Sequence, residues 1–108
     1  MGTILVISTL PDREHAEKMA HFLIEQQLAA CVNILPGATS VYRWQSKVES
    51  ANETILLIKT TMARYPALEA AIKNQHPYEL PEIIAVPISA GLPAYLEWVA
   101  TETSNDPN

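Results

Sequence analysis

The chain has 108 residues, 48% of them hydrophobic and 18% charged, which suits one packed core and argues against general disorder. No apolar run approaches the roughly 20 residues needed to span a bilayer, and 12 acidic against 7 basic residues give a net charge of -5. The basic residues are scattered and form no stripe, so neither a membrane nor a nucleic-acid backbone is an expected partner.

The opening segment, MGTILVISTLPDRE, lacks a basic stretch ahead of its apolar run and a small-residue cleavage pattern. It reads as a strand over residues 3–9, and the expected compartment is the cytoplasm. Leu10, Pro11 and Asp12 break that strand and place a carboxylate at a helix start, where free N–H groups favour negative charge. A helix follows to about Gln27, with Ala16, Met19, Ala20, Leu23 and Ile24 on its apolar face. A second strand runs over 31–35 and is interrupted by Pro36 and Gly37, where a kink or bulge is expected before strand character resumes over 39–48. Ser50, Ala51 and Asn52 read as the polar turn, and ETILLIKTT (53–61) as the third strand of a long hairpin. The second helix starts near Arg64, because Pro66 is tolerated only in a first turn. Pro87 makes the fourth strand, 83–89, an edge strand or a bulged one, and Leu92-Pro93 opens a terminal helix through about Glu102.

The order β-α-β-β-α-β plus a terminal helix predicts an α+β, ferredoxin-like sandwich as a single domain over 1–108, with residues 103–108 a frayed tail. Two helices on one side leave the other sheet face bare, and a hairpin of about twice the usual strand length should overhang them. Alternation puts Tyr42 and Trp44 on one side of that ribbon, with Val48 expected to join them. Exposed aromatics there mark an interaction surface, and identical subunits closing a ring would cover it.

The segments AACVNILPGATSVYRW (29–44), ETILLIKTT, HPYELPEI from His76 and the G-x-P-A-Y-L-x-W ending at Trp98 resemble the CutA family of divalent-cation tolerance proteins, in order and over nearly the whole chain. The resemblance implies the ferredoxin-like fold, a very stable homotrimer held by sheets and hairpins, a role in the response to metal ions, and binding of Cu(II) or Zn(II) without catalysis. The ligands proposed in some members are a cysteine ending the first strand and two histidines before the proline of HPY. Those positions here read Ser8, Gln75 and His76. Copper and zinc prefer thiolate and imidazole, so the expectation is weak or labile binding at His76 and no required cofactor.

Other candidates weigh less. Glu79 and Glu82 are three apart in an extended segment and point apart, which disfavours paired-acid hydrolysis. Pro77 and Pro81 stiffen the loop. His15 and His21 face apart on their helix, and Cys31 reads as a buried structural thiol that cannot form an intrachain disulfide. Glu53, Lys59, Tyr78, Tyr42 and Trp44 are candidates for the trimer interface or its clefts. Two competing readings follow: a PII-like trimeric sensor of a small anion or metabolite, which would need Lys59, Arg43 and backbone N–H groups to converge, and a structural scaffold for partner proteins.

Overall fold

The computed structural model describes residues 2–104. In chain order it contains β1 (Thr3–Leu10), α1 (Arg13–Glu25), β2 (Cys31–Trp44), β3 (Lys47–Thr61), α2 (Tyr65–Gln75), β4 (Ile83–Pro87) and α3 (Pro93–Glu102). The strands form one antiparallel sheet in the order β2-β3-β1-β4, the ferredoxin-like arrangement, with β4 on an edge where Pro87 costs no ladder bond.

Asp12 starts α1 as expected: its Oδ1 accepts the His15 backbone N–H at 2.8 Å. That bond and a second one from the His15 ring hold the carboxyl below the usual carboxylate range. The helix buries Ala16, Met19, Ala20 and Leu23, while Ile24, expected on the same face, is left exposed at its border. Ala16, Met19 and Leu23 meet Ile4, Val6 and Leu10 of β1, Leu56 and Ile58 of β3, and Leu68 and Ile72 of α2 in one core. Full burial of Leu23 contributes about 1.5–3 kcal/mol, and Leu23→Ala would cost about 2–5 kcal/mol through the cavity it leaves.

Two corrections concern the hairpin. Its turn is Gln45-Ser46, not Ser50-Ala51-Asn52, and both turn residues have positive φ, 51° and 68°. Paired left-handed residues match the right-handed strand twist in a two-residue turn, a geometry usually signalled by Asn or Gly and here adopted without either. Consequently β3 starts at Lys47, and Val48 stands opposite Arg43. Directly opposed residues share a face, so Val48 lies with Val41 and Arg43 on the side away from Tyr42 and Trp44.

The expected bulge falls between Leu35 and Ala38, where Pro36 and Gly37 (φ 87°) occupy the space opposite Thr54 alone. The extra residue inverts the alternation of β2. Before it, Cys31, Asn33 and Leu35 face away from α1 and α2; after it, Ala38, Ser40, Tyr42 and Trp44 do. The resulting ribbon stretches the molecule to 49 × 26 × 22 Å.

The second sheet face is not wholly bare. Helix α3 packs on β1 and β3, buries Val99 outside the α1–α2 core and brings Tyr95 against Cys31. Thr103, expected in the tail, is buried and caps α3 through Oγ1–H donated to the Val99 carbonyl at 2.8 Å. The tail expected beyond Ser104 lies outside the described residues. Leu35, Ile84 and Val86 remain exposed on this open face.

Candidate functional site

The loop between α2 and β4 turns around the end of the sheet and is pinned by His76. This residue is the C-cap of α2, and 9% of it is exposed. Its Nε2–H donates to the Thr9 carbonyl at 2.7 Å, and its Nδ1 accepts the Tyr78 backbone N–H at 3.1 Å. That pair of partners requires the neutral tautomer with the proton on Nε2. Burial holds the ring below its ordinary pKa of 6.5, against the opposing pull of the Thr9 hydrogen bond and the Glu53 carboxylate. Pro77 then removes a donor and keeps the chain extended.

Tyr78, tilted against the His76 ring with centroids 4.8 Å apart, reaches the base of the ribbon and donates its hydroxyl to Glu53 Oε2 at 2.9 Å. Burial, the hydrogen-bonded Glu53 carboxylate and the nearby Tyr42 push the phenol well above its ordinary value, so it remains a neutral donor. Glu53 is itself 9% exposed. Together the loop and the ribbon form a cleft of about 620 Å³, lined by Tyr42, Trp44, Tyr78, Leu80, Glu53 and Glu82 together with Thr9, Ser40, Val41 and Ala51.

Four of the five residues predicted for an interface or cleft therefore meet: Tyr42, Trp44, Glu53 and Tyr78. Lys59 does not join them. It lies opposite Cys31, donates to Asn33 Oδ1 and has its Nζ 4.0 Å from Cys31 Sγ. Burial and Cys31 raise the neighbouring Tyr95 phenol. Arg43 sits 12 residues further along β2, roughly 40 Å away at about 3.3 Å per residue, and on the opposite face of the ribbon. Lys59 and Arg43 do not converge within one chain, and the anion cradle required of a PII-like sensor is not assembled there.

Ser8 and Gln75 do not complete a metal site around His76. Ser8 points into the α1–α2 core, fully buried, and its Oγ has no hydrogen-bond partner. Gln75 is exposed on the last turn of α2. Both His76 nitrogens are engaged, and the described residues contain no group of three His, Cys, Asp or Glu side chains placed to hold an ion. This donor set does not fit a resident copper or zinc ion. His15 and His21 are both exposed, His15 paired with Asp12. No helix among the described residues is long and apolar enough to cross a membrane.

Sequence reasoning did not find the Tyr78–Glu53 bond or the place of Leu80 and Glu82 in the cleft wall. The only signal was the loop's density of polar and aromatic residues, because the partners lie 25 positions apart and meet only through the turn of the loop around the sheet.

A family model described as CutA1 divalent ion tolerance protein matches residues 4–102. The divalent-cation tolerance protein CutA of Thermus thermophilus is 48% identical over 99 residues, which cover 92% of this chain and 96% of that protein. The chloroplastic protein CutA of Arabidopsis thaliana is 44% identical over 95% of this chain, which spans only 57% of that longer protein. The crystal structure of CutA from Xylella fastidiosa superposes with a TM-score of 0.93 at 47% identity, covering 96% of this chain and all of that one.

Proposed function

The chain belongs to the CutA1 divalent ion tolerance family, and on that premise we propose that it acts in divalent-cation tolerance as a cytoplasmic, non-catalytic homotrimer. The observation that carries the assembly is the apolar strip left on the open sheet face: Leu35, Ile84 and Val86 are 42%, 50% and 44% exposed, and the strip continues into Tyr42 and Trp44 on the ribbon. Such a patch is an association surface. The reverse side of the ribbon offers a second one, Val41 and Val48, about 70% exposed. Two different apolar surfaces on one chain suit a head-to-tail contact that closes a ring, whereas a twofold dimer would use one surface twice.

Metal contact in this reading is weak and labile. An ion at His76 must displace either the Tyr78 N–H from Nδ1 or the proton that Nε2 donates to Thr9. Native mass spectrometry of the wild type and His76→Ala, each with and without a few equivalents of Cu(II), tests both parts. The expected result is a three-chain species that retains little copper, to the same extent in both proteins. A single-chain mass would refute the assembly, and about one retained ion per chain, lost in His76→Ala, would make the histidine a resident ligand.

A further inference from the structure

We infer that the cleft between the ribbon and the 76–82 loop is filled by the reverse side of the next copy's ribbon, whose Arg43 pairs with Glu53 and Glu82, in the head-to-tail ring proposed above and on which this reading rests. Tyr42 and Trp44 line the cleft beside those two carboxylates, and no lysine or arginine lines it. A copy that packs over the aromatics therefore takes the carboxylates out of water as well. Glu53 is already nine-tenths buried, and Tyr78 engages only its Oε2. Neither Glu53 nor Glu82 is paired with a cation among the described residues. Burying them further is costly unless the covering surface brings a cation of its own.

The chain has seven basic residues, and one suits that role. Arg13 is paired with Glu17, Lys59 donates to Asn33, and Arg64 donates to the Gln27 carbonyl. Lys18 and Lys73 lie on α1 and α2, not on the ribbon. Lys47 stands opposite Trp44 and so shares the cleft's own side of the ribbon. Arg43 is left: it is exposed opposite Val48 on the reverse side, and its Nη1–H donates only to the Ser46 carbonyl, at 3.5 Å. Among the described residues it has no carboxylate partner. A chain cannot fill its own cleft with this group, because it projects from the other side of the ribbon. The exposed Val41 and Val48 flank it and offer the aromatic lining an apolar contact. A guanidinium also stacks on aromatic faces and forks onto carboxylate oxygens, as a lysine ammonium does not. The Oε1 of Glu53 is the oxygen that Tyr78 leaves for it.

The test exchanges the charges in the full chain. Dissociation constants of the three-chain species are measured by sedimentation equilibrium in a urea concentration that partly dissociates the wild type. Arg43→Glu should weaken assembly at least about tenfold, and Glu82→Arg, at an exposed position, several-fold. The double variant Arg43→Glu, Glu82→Arg should assemble at least about threefold more tightly than Arg43→Glu alone, because the pair is restored with its signs exchanged. Such a rescue cannot come from a chain that has failed to fold. The inference is overturned if Arg43→Glu assembles like the wild type, or if the double variant is no tighter than the weaker single one. In either case a wild type that sediments as three chains without urea leaves the ring standing. A wild type of one chain without urea refutes the ring, and this contact with it.

Discussion

Tyr78 and Glu53, 25 residues apart, are joined by a 2.9 Å hydrogen bond that ties the loop after α2 to the base of the β2–β3 ribbon. Tyr78→Phe removes the donor and leaves a carboxylate nine-tenths buried without it, a loss of about 1–3 kcal/mol. Glu53→Gln weakens the same contact. In a double-mutant cycle by urea denaturation at fixed protein concentration, the two changes should couple by about 1 kcal/mol or more. Additive losses would mean that the bond contributes nothing.

The His76 ring sets a pH dependence with a definite sign. Its folded pKa lies below the unfolded value of 6.5, so the unfolded chain binds the proton more readily. The stability it contributes is fully present above the unfolded pKa and is lost as pH falls through the folded one. Protonation would set an Nδ1–H against the Tyr78 N–H that now donates to it. The difference in unfolding free energy between wild type and His76→Gln should therefore shrink from pH 7.5 to pH 5, as seen in denaturant midpoints across that range. A constant difference would contradict this account.

Gly37 has φ 87°, and a Cβ built on it meets nothing within 4 Å. Any cost of Gly37→Ala is then a backbone cost, about 1–2 kcal/mol. Gly37→Asn should cost less, since asparagine tolerates the left-handed region better. Equal midpoints for the three proteins would mean that the bulge relaxes.

Ser8 carries a buried hydroxyl with no partner. Removing it relieves a desolvation cost of about 1–3 kcal/mol and gives up little packing. Ser8→Ala should be neutral or up to about 1 kcal/mol more stable in chemical denaturation. A clear destabilisation would show that the Oγ is satisfied in solution.

The layered fold was legible because its signals are periodic. The i, i+3, i+4, i+7 pattern of Ala16, Met19, Ala20 and Leu23, and the breaks at Pro11, Pro66 and Pro93, mark helices whatever surrounds them. The turn was misplaced because Gln45 and Ser46 carry no glycine or asparagine, while Ser50-Ala51-Asn52 has a turn's polarity in the middle of β3. That displacement alone reversed the side assigned to Val48. Pro36-Gly37 showed that a bulge was present, but its inversion of the alternation depends on how many residues stand opposite Thr54, which only the register reveals. Tyr42, Trp44, Glu53 and Tyr78 were legible as candidates, and their meeting in one cleft was not. Lys59 was a candidate beside them but lies at the other end of the sheet, next to Cys31.

Sedimentation equilibrium of the wild type beside the Tyr42→Ala, Trp44→Ala double variant tests the central claim, that the open sheet face and ribbon join three copies. The account predicts the mass of three chains for the wild type and partial or complete dissociation at low concentration for the variant. A wild type that sediments as one chain, or a variant with the same mass and thermal stability as the wild type, would contradict it.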